Sequence, residues 1–120
     1  MKSYKELEVW QRAIELAILV HNSAKSFPRE EIYALGSQIN RAAISVPANI
    51  AEGWGRGKTR EYLFFLTIAR GSLLELETHC ILAQRFGYLK DDVYAQLLKE
   101  IERVAMMLNK LISTLRRKLD

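Results

Sequence analysis

An all-α fold, an up-down antiparallel four-helix bundle, is predicted by three observations. Apolar residues recur at three- and four-residue steps along most of the chain. Only two prolines and six glycines punctuate it, and three of those glycines fall between residues 53 and 57. No stretch alternates polar and apolar residues in the manner of a half-buried strand. At 120 residues the chain reads as one domain, 1–120, because two cores would each be too small to bury much surface.

The first helix, about 4–26, opens on Ser3 with Glu6 three residues on, the pattern of a capping box. Phe27-Pro28 ends it, since proline drives the preceding residue out of the helical region. Its seam reads Leu7, Trp10, Ile14, Ala17, His21 and Ala24. A second stripe, Val9, Ala13, Leu16 and Val20, either widens the core-facing sector or forms a subunit interface. Leu63, Leu74 and Ile81, off the main face of the third helix, pose the same choice, and the interface is the favoured expectation.

The second helix, about 30–52, stops at Gly53 and carries Pro47 inside it. Proline removes a backbone hydrogen bond and clashes with the carbonyl of Ala43, which predicts a kink or a break. Gln38, Arg41, Ser45, Asn49 and Glu52 share one face of this helix. Ser45 and Asn49 are poor helix-interior residues flanking Pro47, which points to a structural polar network in which Asn49 satisfies the freed carbonyl. A solvated face and a partner-binding face are the alternatives.

The third helix, about 59–86, takes Thr59 as N-cap and Gly87 as stop, with Tyr62, Phe65, Ala69, Leu73, Leu76, Cys80 and Ala83 at heptad spacing. The fourth, about 91–119, shows the cleanest seam: Leu97, Ile101, Val104, Leu108, Leu111 and Leu115. The connection between these two helices is only a few residues long, so they are antiparallel neighbours.

Apolar residues make up 49% of the chain but never gather into a membrane-spanning run of about 18. The first residues lack the pattern of a secretory signal, and a single cysteine forms no intrachain disulfide, so a cytoplasmic setting is expected. A net charge of +4 permits contact with polyanions.

Gly53-Trp54-Gly55-Arg56-Gly57-Lys58-Thr59 looks like a phosphate-binding loop but is out of register, because Glu52 stands where the first glycine is required. The preceding segment has helical spacing, whereas such a loop follows a buried strand. Glu75 and His79 are one residue too far apart for the Glu-x-x-His pairs of a di-metal bundle. His21 and Cys80 both read as packed core residues, with no base or acid to activate them. The expectation is therefore a protein without catalytic residues, metal or cofactor.

Arg56, Lys58 and Arg60 lie on or beside a glycine loop leading into a helix N-terminus, where unpaired N–H groups attract anions. They are the leading candidates for contact with a nucleic-acid backbone, the alternative being a solvated loop carrying ordinary charges. Arg41 and the cluster Arg116-Arg117-Lys118 are weaker candidates, the cluster being explained also by attraction to a helix C-terminus.

The segments Leu7–Ala13, Gln38–Gly53 and Ile68–Glu77, above all Ser45-x-Pro47-x-Asn49-Ile50-Ala51-Glu52-Gly53, resemble one bacterial family of four-helix bundles. Its members are encoded in intervening sequences of large-subunit ribosomal RNA genes, and the resemblance covers roughly residues 4–90. That family is similar to the accessory variability protein of diversity-generating retroelements. The resemblance implies a cytoplasmic, non-enzymatic homo-oligomer, a homopentamer by analogy, with RNA or DNA and a partner reverse transcriptase as ligands. The alternative expectation is an interaction scaffold that docks a partner enzyme without touching nucleic acid.

Overall fold

The computed structural model describes residues 2–119 as four helices: α1 (Glu8–Ala24), α2 (Leu35–Gly55), α3 (Thr59–Arg85) and α4 (Asp91–Leu119). They run up, down, up and down. Each packs on two neighbours, α1 on α2 and α4, and α3 on α2 and α4, enclosing one core in a body of 47 × 22 × 21 Å. No helix is long and apolar enough to cross a membrane among the described residues.

The chain enters through a single 3-10 turn, Tyr4–Glu6, and not through the first turn of a longer α-helix. The Ser3 hydroxyl accepts from the Lys5 N–H, while the Glu6 carboxylate accepts from the Lys2 N–H at 2.8 Å. The reciprocal capping box is therefore not made, and extended Leu7 precedes α1.

The buried face of α1 is Val9, Ala13, Leu16, Val20 and Ala24. This corrects the expected division of faces: the stripe assigned to a subunit interface is the core. Trp10, Ile14 and Ala17 are half-buried at its edges, and His21 is exposed. Leu63 likewise turns inward, Ile81 is half-buried, and Leu74 alone of that group is open, at 60% exposure.

α2 begins five residues later than the periodicity suggests, because Phe27-Pro28 is followed by a 3-10 turn, Arg29–Glu31, and a non-helical Ala34. It then runs unbroken through Pro47. Gly53 does not end it. A Cβ at Gly53 would lie 2.8 Å from the Cβ of Phe65 and 3.1 Å from the carbonyl of Tyr62, so glycine here lets α3 approach. The reversal is made at Gly57, whose φ of +80° is open to glycine at little cost.

Lys58, not Thr59, occupies the N-cap of α3 and offers no side-chain cap. In the first turns Leu63 and Leu66 are buried in place of the expected Tyr62 and Phe65, which are half-buried. At the other end, Gly87 (φ +83°) closes a Schellman motif in which the Tyr88 N–H reaches the Ala83 carbonyl at 2.8 Å. Tyr88 also donates its hydroxyl to Glu31 at 2.8 Å, and this acceptor carboxylate, with burial, raises its pKa.

α4 buries Leu97, Ile101, Val104, Leu108, Ile112 and Leu115. Ile112 replaces the expected Leu111, which is half-buried. A straight α-helix drifts by about 20° per heptad against a 3.5-residue repeat, so the next residue turns into the core after two repeats.

Candidate functional site

The α2–α3 contact is the most extensive in the bundle, and it carries the polar network expected around Pro47 in altered form. The Ser45 and Ser72 hydroxyls share a hydrogen bond of 2.8 Å. The Asn49 amide donates to the Ser45 hydroxyl at 2.9 Å and to the Ser45 carbonyl at 2.8 Å. Asn49 therefore braces the carbonyl of Ser45, and not that of Ala43, the one that Pro47 deprives of its donor. Of the other members expected in this row, Gln38 and Arg41 line an open polar cleft with Glu75, and Glu52 pairs with Arg56.

Ser72 is the member that sequence reading missed. It is the one polar residue among the core-facing positions of α3 among the described residues. Its flanking position beside Leu73 in the seam was the available signal.

Cys80 is fully buried, and His21, expected in the core, is exposed. Burial first, and the nearby Glu77 charge second, push the Cys80 thiol up from 9.0 to about 12. The folded state thus holds this proton more tightly than the unfolded chain does. The stabilisation is complete below pH 9.0 and is lost as pH rises toward about 12. Denaturant titrations across that window should show stability falling by up to about 1.4 kcal/mol per pH unit, and less steeply in Cys80→Ala.

His79 lies one turn beyond Glu75, its Nε2 3.8 Å from the carboxylate. No group of three histidine, cysteine or acidic side chains able to hold a metal ion occurs among the described residues. The glycine-rich segment follows α2, a helix, and so lacks the strand context of a nucleotide-binding loop.

The basic candidates separate by position. Arg70 on α3 donates to the Asn109 side chain on α4 at 3.1 Å, which marks the level at which the two helices lie side by side. Ten residues from each, at about 1.5 Å per residue, lead to Arg60 and Leu119 at a common level. The Arg116-Arg117-Lys118 cluster therefore lies at the same end of the bundle as Arg56, Lys58 and Arg60. Arg41 lies about 22 Å along α2 from Arg56 and stands apart from this group.

Lys2 and Lys5 join the same end, a placement that sequence reading did not anticipate. The Tyr4 ring packs edge-on against Trp10 at 5.3 Å and Trp54 at 6.2 Å, docking the entry turn beside the end of α2. Among the described residues this end holds eight lysines and arginines against Glu6, Glu8, Glu52 and Glu61. The far end is balanced, with Lys25, Arg29, Arg85 and Lys90 against Glu30, Glu31, Asp91 and Asp92. Two helix N-termini and two C-termini meet at each end, so the macrodipoles offset one another over the whole end, where side chains set the net charge, while each helix start keeps its local N–H groups.

Within the basic end the side chains are not equivalent. Arg56 is held by Glu52 at 3.1 Å and lies over the Phe65 ring, 4.8 Å from its centroid. Lys58 and Arg60 are exposed, with no ion pair among the described residues. Arg117 reaches Thr114 at 3.5 Å, and Arg116 and Lys118 are exposed.

No curated protein matches the chain. Its fold is shared with a crystal structure described as a protein with unknown function from the S23 ribosomal protein family of Bacteroides thetaiotaomicron. The TM-score is 0.81 at 24% identity, over 88% of this chain and 95% of that one. Residues 5–110 match the family of the 23S rRNA-intervening sequence protein. That span takes in the Pro47 network, the glycine loop, α1 to α3 and the first two-thirds of α4, and the chain belongs to this family.

Proposed function

We propose that this chain is a non-enzymatic, cytoplasmic, homo-oligomeric accessory protein that grips nucleic acid by the basic end of its bundle. The observation that carries the reading is the segregation of charge: one end holds an excess of lysine and arginine, and the other is balanced. Lys58 and Arg60 project beside a helix start that has no side-chain cap, where backbone N–H groups add to the attraction for phosphate. Arg56 contributes less, because Glu52 already neutralises it. Recognition of this kind follows phosphate and not base sequence.

Mobility-shift titrations on structured RNA and duplex DNA over a range of salt test the reading. Affinity should fall by about 0.7 to 0.9 log units per log unit of salt for each phosphate contact. Lys58→Ala and Arg60→Ala should each flatten that slope by about one contact, while Arg41→Ala leaves it unchanged. No binding at low salt to either nucleic acid overturns the proposal.

Self-association rests on exposed apolar surface. Leu74, 60% exposed, rims a groove of about 320 Å³ between α3 and α4, walled by Leu73, Leu98, Ile101 and Ala105. The same groove favours the second reading, a scaffold for a partner protein such as a reverse transcriptase. Light scattering separates the two uses. An oligomer, with five subunits the number implied by resemblance, supports self-association, and a strict monomer leaves the groove to another protein.

A further inference from the structure

We propose that the basic end recognises single-stranded nucleic acid, or unpaired bases within a folded one, by stacking a base on Phe64. This rests on the reading of that end as a nucleic-acid surface and names the form of ligand it takes.

Phe64 is 59% exposed at the start of α3, one turn after Arg60. Residues four apart share a helix face with about 5–6 Å between their Cβ atoms, so Arg60 and Phe64 leave α3 on the same side. Lys58 precedes them on the loop. The Phe64 ring is braced edge-on by Phe65 at 5.3 Å, and Phe65 in turn carries the Arg56 guanidinium on its face. The result is an exposed aromatic shelf near Lys58 and Arg60, which have no ion-pair partner among the described residues, whereas Arg56 is paired with Glu52. This is the combination with which proteins hold single strands: charge follows the phosphates, and a ring receives a base of any identity. Paired bases are already stacked on their neighbours and offer no free face, so the ring discriminates by strandedness while the cations do not.

The charge around Phe64 favours this occupant over a second copy of the chain. In a two-fold contact between copies Arg60 and Lys58 would face their own kind, whereas a polyanion complements them.

Fluorescence anisotropy with a labelled single-stranded RNA and with its blunt duplex, at fixed low salt, tests the inference. Phe64→Ala should weaken single-strand binding about 5- to 150-fold, the range for loss of one stacked base, and leave duplex binding unchanged. Phe64→Trp should retain or tighten single-strand binding. Equal effects of Phe64→Ala on both forms, or none on either, overturn the shelf. If Lys58→Ala and Arg60→Ala still weaken both forms, the basic end stands and only the shelf is lost; if they change neither, the basic end itself fails. A thermal melt confirms that each variant is folded. A change of oligomeric state in Phe64→Ala, seen by light scattering, would instead assign the ring to a contact between copies and overturn the proposal.

Discussion

Truncating Leu16 to alanine is expected to destabilise the protein by about 2–5 kcal/mol, read as a fall in the denaturant midpoint at constant slope. Leu16 is 2% exposed and lies in the middle of the α1 core stripe between Ala13 and Val20. The loss combines the transfer free energy of the missing methyl groups with the cavity they leave in a close-packed interior. His21→Ala, on the stripe that periodicity alone assigns to the core, should stay within about 0.5 kcal/mol, because His21 is exposed and away from any network. Similar costs for the two variants would mean that α1 is rotated relative to the face described.

Replacing Gly53 by valine is expected to cost about 1–3 kcal/mol or more through overpacking. Its Cβ alone would lie 2.8 Å from the Phe65 Cβ and 3.1 Å from the Tyr62 backbone, so α2 and α3 must separate to admit it. A better helix propensity than glycine, by a few tenths of a kcal/mol, offsets only part of this. Gly55→Val, two residues on with open space at its Cβ, is the control and should be near neutral or slightly stabilising. Thermal melts of the two variants check the contrast. The same separation would shift Phe65 and the Arg56 guanidinium stacked on it, so Gly53→Val should also perturb the basic end.

Much of the fold was legible in the residues. Helix number, order and antiparallel sense followed from apolar spacing, from Pro28 and Gly87, and from the short connection before Asp91. The α4 seam was correct in five of its six members, failing only where Ile112 displaces Leu111. Two kinds of feature were not legible. On α1, two apolar stripes obey the same three- and four-residue steps, and nothing local ranks Leu16 above Ile14. At Gly53, a glycine near a helix end reads as a stop, although its role is to let a neighbouring helix approach.

The candidate site divides in the same way. Lys58 and Arg60 were identifiable from their place beside the glycine turn, and Ser45 with Asn49 from their poor fit to a helix interior. Ser72, Lys2 and Lys5 were not, because each enters its group through a partner distant in sequence. Ser72 does so through Ser45, and the two lysines through the packing of Tyr4 on Trp54.

The sequence by itself determined which segments are helical, where the chain reverses and which residues carry charge, because these depend on neighbours within a turn or two. Only the tertiary structure decided which stripe of α1 meets the core, which glycine is a contact and which a turn, and that the basic residues of both termini and the central loop converge on one end. Those outcomes depend on the rotation and register of whole helices. These are set by how the buried faces of all four helices pack together, with contacts such as Ser45 with Ser72 and Arg70 with Asn109 made between residues far apart in sequence, which no local pattern encodes.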